Sequence, residues 1–205
     1  MDITAFGPQC GYVSSNEGSE ATVLVVDDEQ KVADVQALTL QHTYETRVAY
    51  GGREALEKYD ESVDAVVLDR RMPDIHGDDV LAKIREHDQE TVVVMMTAVD
   101  PDLNILEMGF DDYLTKPVDA ETLVEALDRQ LDTRKEDDPR LTEFFSTVSK
   151  LDVLESELPR GELADSEEYV ALKERADELA SELDADHDDF DELVATFRDI
   201  SRGSA

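Results

Sequence analysis

Residues 65–69 read AVVLD, and the chain continues through RRMPD at 70–74 to Gly77. Four consecutive apolar residues, two of them valine, are typical of a strand buried on both faces of a parallel sheet. This strand ends at Asp69, and the stretch containing proline and glycine after it predicts a loop. Because ligands of open α/β sheets bind at the carboxyl ends of the strands, Asp69 is predicted to face a functional site.

The alternation of buried strands and amphipathic helices continues on both sides of this strand. Further strands are predicted at 22–26, 46–50, 91–96 and 113–115. Helical spacing of apolar residues follows each of the five strands, and the fourth helix is predicted near 101–108. Since parallel neighbours need helical crossovers, the pattern predicts an α/β fold with a doubly wound, five-stranded parallel sheet.

Four of the predicted strands end in groups that can do chemistry, which are Asp27 with Asp28, Asp69, Thr97 and Lys116. Carboxylates brought together raise each other's pKa unless a cation lies among them, and hard oxygen ligands suit Mg²⁺. A lysine ammonium and a threonine hydroxyl opposite them can balance the charge of a phosphoryl group. The set therefore indicates phosphoryl transfer to a carboxylate, and the sequence offers no serine or cysteine nucleophile paired with a histidine base.

The chain is strongly acidic, with 52 Asp and Glu against 19 Lys and Arg and a formal net charge of −33. Both halves share the acid and both show apolar periodicity, which argues against a disordered acidic tail. Carboxylates at this density repel one another unless salt screens them, and the screening length falls to about 3 Å at 1 M salt. We therefore expect a halophilic protein from a cytoplasm of very high ionic strength.

The first twenty residues are rich in Gly, Ser and Asn and predict a disordered extension that contains the single cysteine, Cys10. One cysteine forms no internal disulfide framework, and this favours a reducing compartment. The sequence also shows no signal-peptide pattern and no apolar run long enough to span a membrane. A cytoplasmic protein is expected.

The C-terminal part predicts a small all-α domain. A helix begins near Pro139, and Asp165 with Glu168 three residues later forms a capping-box pattern for a second helix. Apolar residues then recur with heptad spacing from Tyr169 onward, interrupted at Asp186. A helical hairpin, or a coiled coil between two chains, satisfies this pattern. The acidic run 184–191 lacks the glycine and glutamate of a calcium loop and is predicted to be a solvated surface.

Taken together and in this order, four motifs resemble the receiver domain of two-component response regulators: VVDDE at 25–29, LD..MP at 68–73 with Gly77, MTA at 96–98, and DYLTKP at 112–117. The resemblance implies that Asp69 accepts a phosphoryl group from a sensor histidine kinase. It implies that Asp27, Asp28, Asp69 and the backbone carbonyl of Arg71 hold Mg²⁺. It also implies that Lys116 contacts the phosphoryl group, that Thr97 and Tyr113 act as switch residues, and that Pro117 follows a cis peptide bond.

Two departures from the family pattern bear on how the signal is read. Only eighteen residues separate Thr97 from Lys116, so the fourth helix, which belongs to the usual output face, is predicted to be about one turn short. Val118 also stands where the family commonly has phenylalanine. The helical C-terminal part resembles the HalX domain. The domains are accordingly placed at 1–20 (extension), 21–134 (receiver) and 135–205 (HalX-like helical domain).

These observations support a response regulator that switches conformation, with no enzymatic activity beyond accepting its own phosphoryl group and slowly losing it. Two alternatives stay open, a phosphorelay intermediate or phosphate sink without output, and a DNA-binding transcriptional regulator. DNA binding is not favoured because the C-terminal part carries 22 acidic against 8 basic residues. A homodimer through the receiver output face or the C-terminal helices is also left open. A phosphohydrolase of the haloacid type would need an acid at the position of Arg71.

Overall fold

The computed structural model describes residues 21–98, 101–136, 138–187, 190 and 194. Its five strands are β1 (Thr22–Val26), β2 (Glu45–Ala49), β3 (Ala65–Leu68), β4 (Val92–Thr97) and β5 (Asp112–Thr115). They form one parallel sheet in the order β2-β1-β3-β4-β5. The predicted doubly wound, five-stranded parallel sheet is confirmed. The predicted extension with Cys10 lies outside the described residues.

Helices cover both faces of this sheet. They are α1 (Gln30–Leu40), α2 (Gly52–Lys58), α3 (Gly77–His87) and α4 (Ala120–Lys135), with a 3₁₀ helix at Leu103–Glu107. Alternate strand residues divide the core into two layers, because successive side chains of a strand point to opposite faces. Val23 and Val25 pack with α1 and α4, whereas Leu24 and Val26 pack with α2 and α3.

The fourth crossover differs from the sequence prediction. An α-helix of reduced length was expected near 101–108, but the structure has a 3₁₀ helix of five residues, Leu103–Glu107. Its first turn is capped by Asp102, whose carboxylate accepts from the Asn104 amide at 3.1 Å. So short an element leaves much of the sheet beside β5 without a helix of the α/β part to cover it.

The C-terminal helices fill this space. They are α5 (Pro139–Glu157), α6 (Arg160–Ala164) and α7 (Glu167–Asp186). Leu151 and Leu154 of α5 and Tyr169 of α7 are buried in the same core as Ile105, and α5 contacts β5 directly. The α/β part and the helical part therefore share one hydrophobic core.

Helices α5 and α7 are antiparallel, as ion pairs at both ends show. Arg140 near the start of α5 lies 2.7 Å from Asp186 at the end of α7, and Glu155 lies 2.7 Å from Lys173 near the start of α7. A second core between the two helices contains six buried residues: Leu141, Phe144, Phe145, Leu179, Leu183 and Phe190. The helical hairpin matches the heptad pattern as far as residue 187, while residues 188, 189, 191–193 and 195–205 lie outside the described part.

The start of α7 corrects a second expectation. Asp165 was predicted as its N-cap, but Asp165 instead ends the short helix α6. The cap is Ser166, whose hydroxyl oxygen accepts from the Tyr169 amide at 3.1 Å and whose hydroxyl lies 3.0 Å from Glu168. The unexpected turn of helix at 160–164 shifts the cap by one residue.

Throughout the described ranges, no helix is both long and apolar enough to cross a lipid bilayer.

Candidate functional site

Three polar side chains predicted from the sequence meet at the carboxyl edge of the sheet. Asp27 follows β1, Asp69 follows β3 and Lys116 follows β5. The backbone continues the sheet pairing one residue beyond the strands, since the Asp69 amide donates to the Val26 carbonyl at 2.9 Å. Topology therefore brings together groups that are far apart in the chain.

Lys116 bridges two carboxylates. Its Nζ lies 2.6 Å from Oδ2 of Asp27 and 2.7 Å from Oδ1 of Asp69. Each carboxylate also accepts from a local backbone amide, Asp27 from Glu29 and Asp69 from Arg71, both at 2.8 Å. Asp27 is 2% exposed and Asp69 8% exposed, so the charges are held in a largely desolvated site.

Burial dominates the electrostatics of Asp69. It raises the pKa of this carboxyl above its usual value, and the neighbouring Asp27 acts in the same direction. Lys116 and the Arg71 amide oppose the change because they stabilise the ionised form. Burial alone would lower the pKa of Lys116, but its hydrogen bonds to Asp27 and Asp69 outweigh burial and raise it. Lys116 is therefore held in its charged form.

The remaining predicted residues occupy different surroundings. Thr97 ends β4 and is 1% exposed, at the same sheet edge as the Asp-Lys cluster. Asp28 is exposed beside Asp27, and the Arg71 side chain is exposed as well. Tyr113 is 3% exposed and packs in the core layer that faces α5. The predicted cis peptide bond between Lys116 and Pro117 is present.

The charge of this edge suits a divalent cation. Three carboxylates, Asp27, Asp28 and Asp69, and one ammonium, Lys116, leave a formal excess of two negative charges. Oxygen ligands of this kind are those that Mg²⁺ prefers. No group of three or more His, Cys, Asp or Glu side chains is already arranged to hold a metal within the described ranges. The three carboxylates thus have the chemistry that Mg²⁺ prefers, and in this structure the Lys116 ammonium lies between Asp27 and Asp69.

Gly77 fixes the loop that follows Asp69. A Cβ at this position would lie 2.2 Å from the Asp69 carbonyl oxygen and 2.9 Å from the Arg70 Cα. The Gly77 amide also donates to the Arg70 carbonyl at 2.8 Å. The backbone of α3 thus approaches the backbone of the site loop too closely for any side chain at 77.

Sequence reasoning missed Arg70, which is 8% exposed and directly follows Asp69. Its Nε lies 3.1 Å from Asp78 in α3, and its Nη2 lies 3.7 Å from Asp102. A second missed feature is Asp112, which is ion-paired with Arg129 and accepts from Ser149 of α5. No sequence pattern pointed to Arg70, because the partners of its guanidinium come from separate elements of the fold.

The response regulator receiver domain family matches residues 23–128, and the HalX domain family matches residues 133–201. A putative transcriptional regulator of Haloferax volcanii is 41% identical over 171 residues, covering 82% of this chain and 28% of that protein. The transcriptional regulatory protein CutR of Streptomyces coelicolor is 47% identical over 100 residues, 46% of each chain. This chain thus spans less than half the length of either relative.

Solved receiver domains share the fold. A CheY-like response regulator receiver domain protein from Methanospirillum hungatei superposes with a TM-score of 0.55 and 26% identity, covering 58% of this chain and 100% of that one. The BeF3-activated receiver domain of DrrB from Thermotoga maritima gives a TM-score of 0.52 and 31% identity, covering 55% and 98%.

Proposed function

Because this chain belongs to the response regulator receiver family and carries a HalX domain after the receiver, we propose that it accepts a phosphoryl group on Asp69 from a sensor histidine kinase. The observation that carries the proposal is the Lys116 ammonium, which is in contact with Asp69 and Asp27 at a desolvated sheet edge. Phosphoryl transfer to a carboxylate requires mainly positioning and compensating charge, and this arrangement supplies both.

In the proposed transfer, a carboxylate oxygen of Asp69 forms a bond to phosphorus while the bond from phosphorus to the donor imidazole nitrogen breaks. The product is an acyl phosphate on Asp69, and the departing imidazole nitrogen keeps the bonding electron pair. Lys116 would then neutralise a phosphoryl oxygen. The Arg71 amide, which donates to Oδ2 of Asp69 at 2.8 Å, would keep that carboxyl oxygen in place. The proposed role is limited to this self-phosphorylation and includes no catalytic turnover of a separate substrate.

Mg²⁺ would be held by Asp27, Asp28, Asp69 and the backbone carbonyl of Arg71. When bound, it would supply positive charge to the phosphoryl oxygens as negative charge redistributes between donor and acceptor. Asp27 and Lys116 would keep the Asp69 carboxylate oriented in either state. We place the protein in the cytoplasm, where kinases that use ATP deliver phosphoryl groups.

We further propose that the phosphoryl group biases Thr97 and Tyr113 between two arrangements and so changes the contact between β5 and the helical domain. Tyr113 is buried in the core layer that α5 helps to form, which gives the switch a physical connection to the output. Such a switch requires only that the charge on Asp69 interacts differently with the two arrangements.

Three alternatives to this switch make different predictions about the contact between α5 and β5, about DNA, or about self-association. A relay or phosphate sink would pass the phosphoryl group to a second histidine protein without changing the contact between α5 and β5. DNA binding is suggested by relatives described as transcriptional regulators. The acidic balance of the helical domain argues against it, although high salt would screen that charge. A homodimer through the receiver output face would require α5 to move away from β5.

Treating the purified chain with acetyl phosphate and Mg²⁺ in molar KCl tests the central proposal. We expect intact-mass spectrometry to show one added phosphoryl group in the native chain and none in Asp69→Asn. Asp79→Asn is a matched control, because Asp79 is an exposed carboxylate on α3. Uptake by Asp69→Asn at the native level, or no uptake by the native chain at any Mg²⁺ concentration, would contradict the proposal.

A further inference from the structure

A cavity lies between the receiver and helix α5. Its volume is about 800 Å³, within the range of sites that bind small organic molecules. Its walls come from α3, the segment between the 3₁₀ helix and β5, the end of α4, and α5. They include Leu81, Arg85, Phe110, Asp111, Arg134 and Lys150. None of the residues that form the Asp69 site lines this cavity, so it is a separate feature of the molecule.

Asp111 organises the charged wall of the cavity and is 4% exposed. Its Oδ2 lies 2.8 Å from Nη2 of Arg85, and its Oδ1 lies 2.8 Å from Nη2 of Arg134. Oδ2 also accepts from the Val93 amide at 2.7 Å. Both carboxylate oxygens are thus engaged by arginines, and Asp111 is not within ion-pair distance of the third cation in the wall.

That third cation is Lys150 of α5, which is partly buried. Among the residues that the structure describes, its ammonium makes no ion pair and no hydrogen bond. It lies 5.2 Å from the centroid of the Phe110 ring, within the range of a cation–π interaction. Burial lowers the pKa of Lys150, and although attraction to Asp111 opposes the change, repulsion from Arg85 adds to it. An anion beside Lys150 would therefore be stabilising.

The other carboxylates that line the cavity do not compensate Lys150, because most of them are paired elsewhere. Ion pairs join Asp78 to Arg70, Glu90 to Arg134, Asp138 to Arg140 and Glu143 to Arg175. The remaining one, Glu107, is exposed at the end of the 3₁₀ helix. These carboxylates do limit the charge of a ligand, since they would repel a second negative charge. One negative charge matches the one lining cation that has no ion pair within the described ranges.

We propose that this cavity binds a small organic monoanion, an apolar molecule with one carboxylate group that pairs with Lys150. The apolar part would pack against Leu81, Met108 and Phe110, which line the cavity. Arg134 offers a second donor in the same wall, because its Nε is buried and lacks an acceptor in the part of the chain that the structure describes. Such a ligand would contact the receiver and α5 together, so its binding would stabilise their contact by mass action. The site does not depend on phosphorylation of Asp69.

Three probes with the same ring system and different charges test this assignment. They are naphthoate, a monoanion, naphthamide, which is neutral, and naphthyl phosphate, which is a dianion above the second pKa of its phosphate. Each is titrated with the full chain in molar KCl, and binding is followed by the fluorescence anisotropy of the naphthalene ring. The chain contains no tryptophan, so its own emission interferes little. Molar salt screens attraction between distant charges and leaves binding that depends on direct contact.

We expect naphthoate to bind saturably at one site, and the other two probes to bind more weakly. Lys150→Met should lower the affinity for naphthoate at least about tenfold, as expected for the loss of a hydrogen bond between charged groups. Lys83→Met is the matched control, because Lys83 is an exposed lysine of α3 that does not line the cavity. Ser146→Phe, which fills part of the cavity from α5 and keeps Lys150, should also weaken binding. It provides the test if Lys150→Met does not fold.

Native affinity for naphthoate in Lys150→Met or in Ser146→Phe would overturn the site, as would the absence of saturable binding by the native chain at millimolar naphthoate. Equal binding of naphthamide would show that the carboxylate plays no part. Tighter binding of naphthyl phosphate would overturn the assignment of a monoanion. Phosphoryl uptake by Asp69 is measured separately, so each of these results leaves the proposed function intact.

Discussion

Lys116 and Asp69 are 47 residues apart in the chain, yet the Lys116 ammonium lies 2.7 Å from Oδ1 of Asp69. The same ammonium contacts Asp27, so one cation balances two nearly buried carboxylates. This relationship makes the site sensitive to the loss of a single positive charge.

Lys116→Met leaves Asp27 and Asp69 buried without their shared counter-charge. We expect the free energy of unfolding in molar KCl to fall by about 3 kcal/mol, as when one partner of a buried ion pair is removed. Added Mg²⁺ should restore more stability in this variant than in the native chain. Denaturant titrations with and without Mg²⁺ measure both effects. Lys83→Met, at an exposed lysine of α3, is the control. An equal Mg²⁺ effect in all three proteins would contradict the prediction.

As pH is lowered, phosphoryl uptake should begin to slow at a higher pH than it would for an aspartate with an ordinary pKa. Burial raises the pKa of Asp69, and only the ionised carboxylate attacks phosphorus, so the rate should decline as pH falls toward that raised pKa. Because Mg²⁺ competes with the proton for the same oxygens, a higher Mg²⁺ concentration should move the decline to lower pH. Initial rates of uptake from acetyl phosphate across pH, at two Mg²⁺ concentrations, test this. A midpoint that Mg²⁺ does not move would show that the titrating group is not Asp69.

Ser149→Ala should weaken the attachment of the helical domain to the receiver. The Ser149 hydroxyl donates to Oδ1 of Asp112 at 2.6 Å in a buried position, and Asp112 is also ion-paired with Arg129. Loss of a buried hydrogen bond to a charged group costs about 2 kcal/mol. Denaturant unfolding measures this, and Ser156→Ala, at an exposed serine of the same helix, should be nearly neutral. Equal effects of the two substitutions would show that the Asp112 contact adds no stability.

Gly77→Ala should disrupt the loop that carries Asp69. Its Cβ would meet the Asp69 carbonyl oxygen at 2.2 Å, a contact with backbone that no side-chain rotation can relieve. We expect a loss of about 3 kcal/mol or more, together with slower phosphoryl uptake. Gly161→Ala in α6 is a matched control, since nothing lies within 4 Å of its added Cβ. That change should be neutral or stabilising by up to about 1 kcal/mol. Similar melting temperatures for both variants would refute the steric argument.

Salt should stabilise the whole chain. With a formal net charge of −33, repulsion between carboxylates opposes the compact state until ions screen it. The melting temperature measured by circular dichroism should rise steeply as KCl is increased into the molar range. A melting temperature independent of KCl would remove the expectation of a halophilic protein.

The sequence was sufficient for those parts of the site that depend on local pattern. Asp27 and Asp69 directly follow runs of apolar residues, Lys116 directly follows a short strand, and the parallel topology brings such strand ends together. Their roles in phosphoryl transfer stay predictions. Arg70 gave no comparable signal, because the partners of its guanidinium come from separate elements.

The errors in the fold have a related cause. Apolar spacing near 101–108 is compatible with either an α-helix or a 3₁₀ helix, and the choice depends on what packs beside it. Here α5 packs beside β5, a tertiary contact that neither segment's own pattern reveals. The N-cap was misplaced by one residue because Asp165 and Ser166 are both good caps, and only the short α6 decides between them.

The connection between α4 and α5 consists of residues 136–138 alone. Any other protein that binds the β5 side of the receiver must therefore compete with α5, which is covalently attached. Over so short a linker the effective concentration of α5 is in the millimolar range or above. A free partner of ordinary affinity and cellular abundance loses that competition as long as α5 stays in place. Access to this surface is thus set within the molecule before any partner arrives.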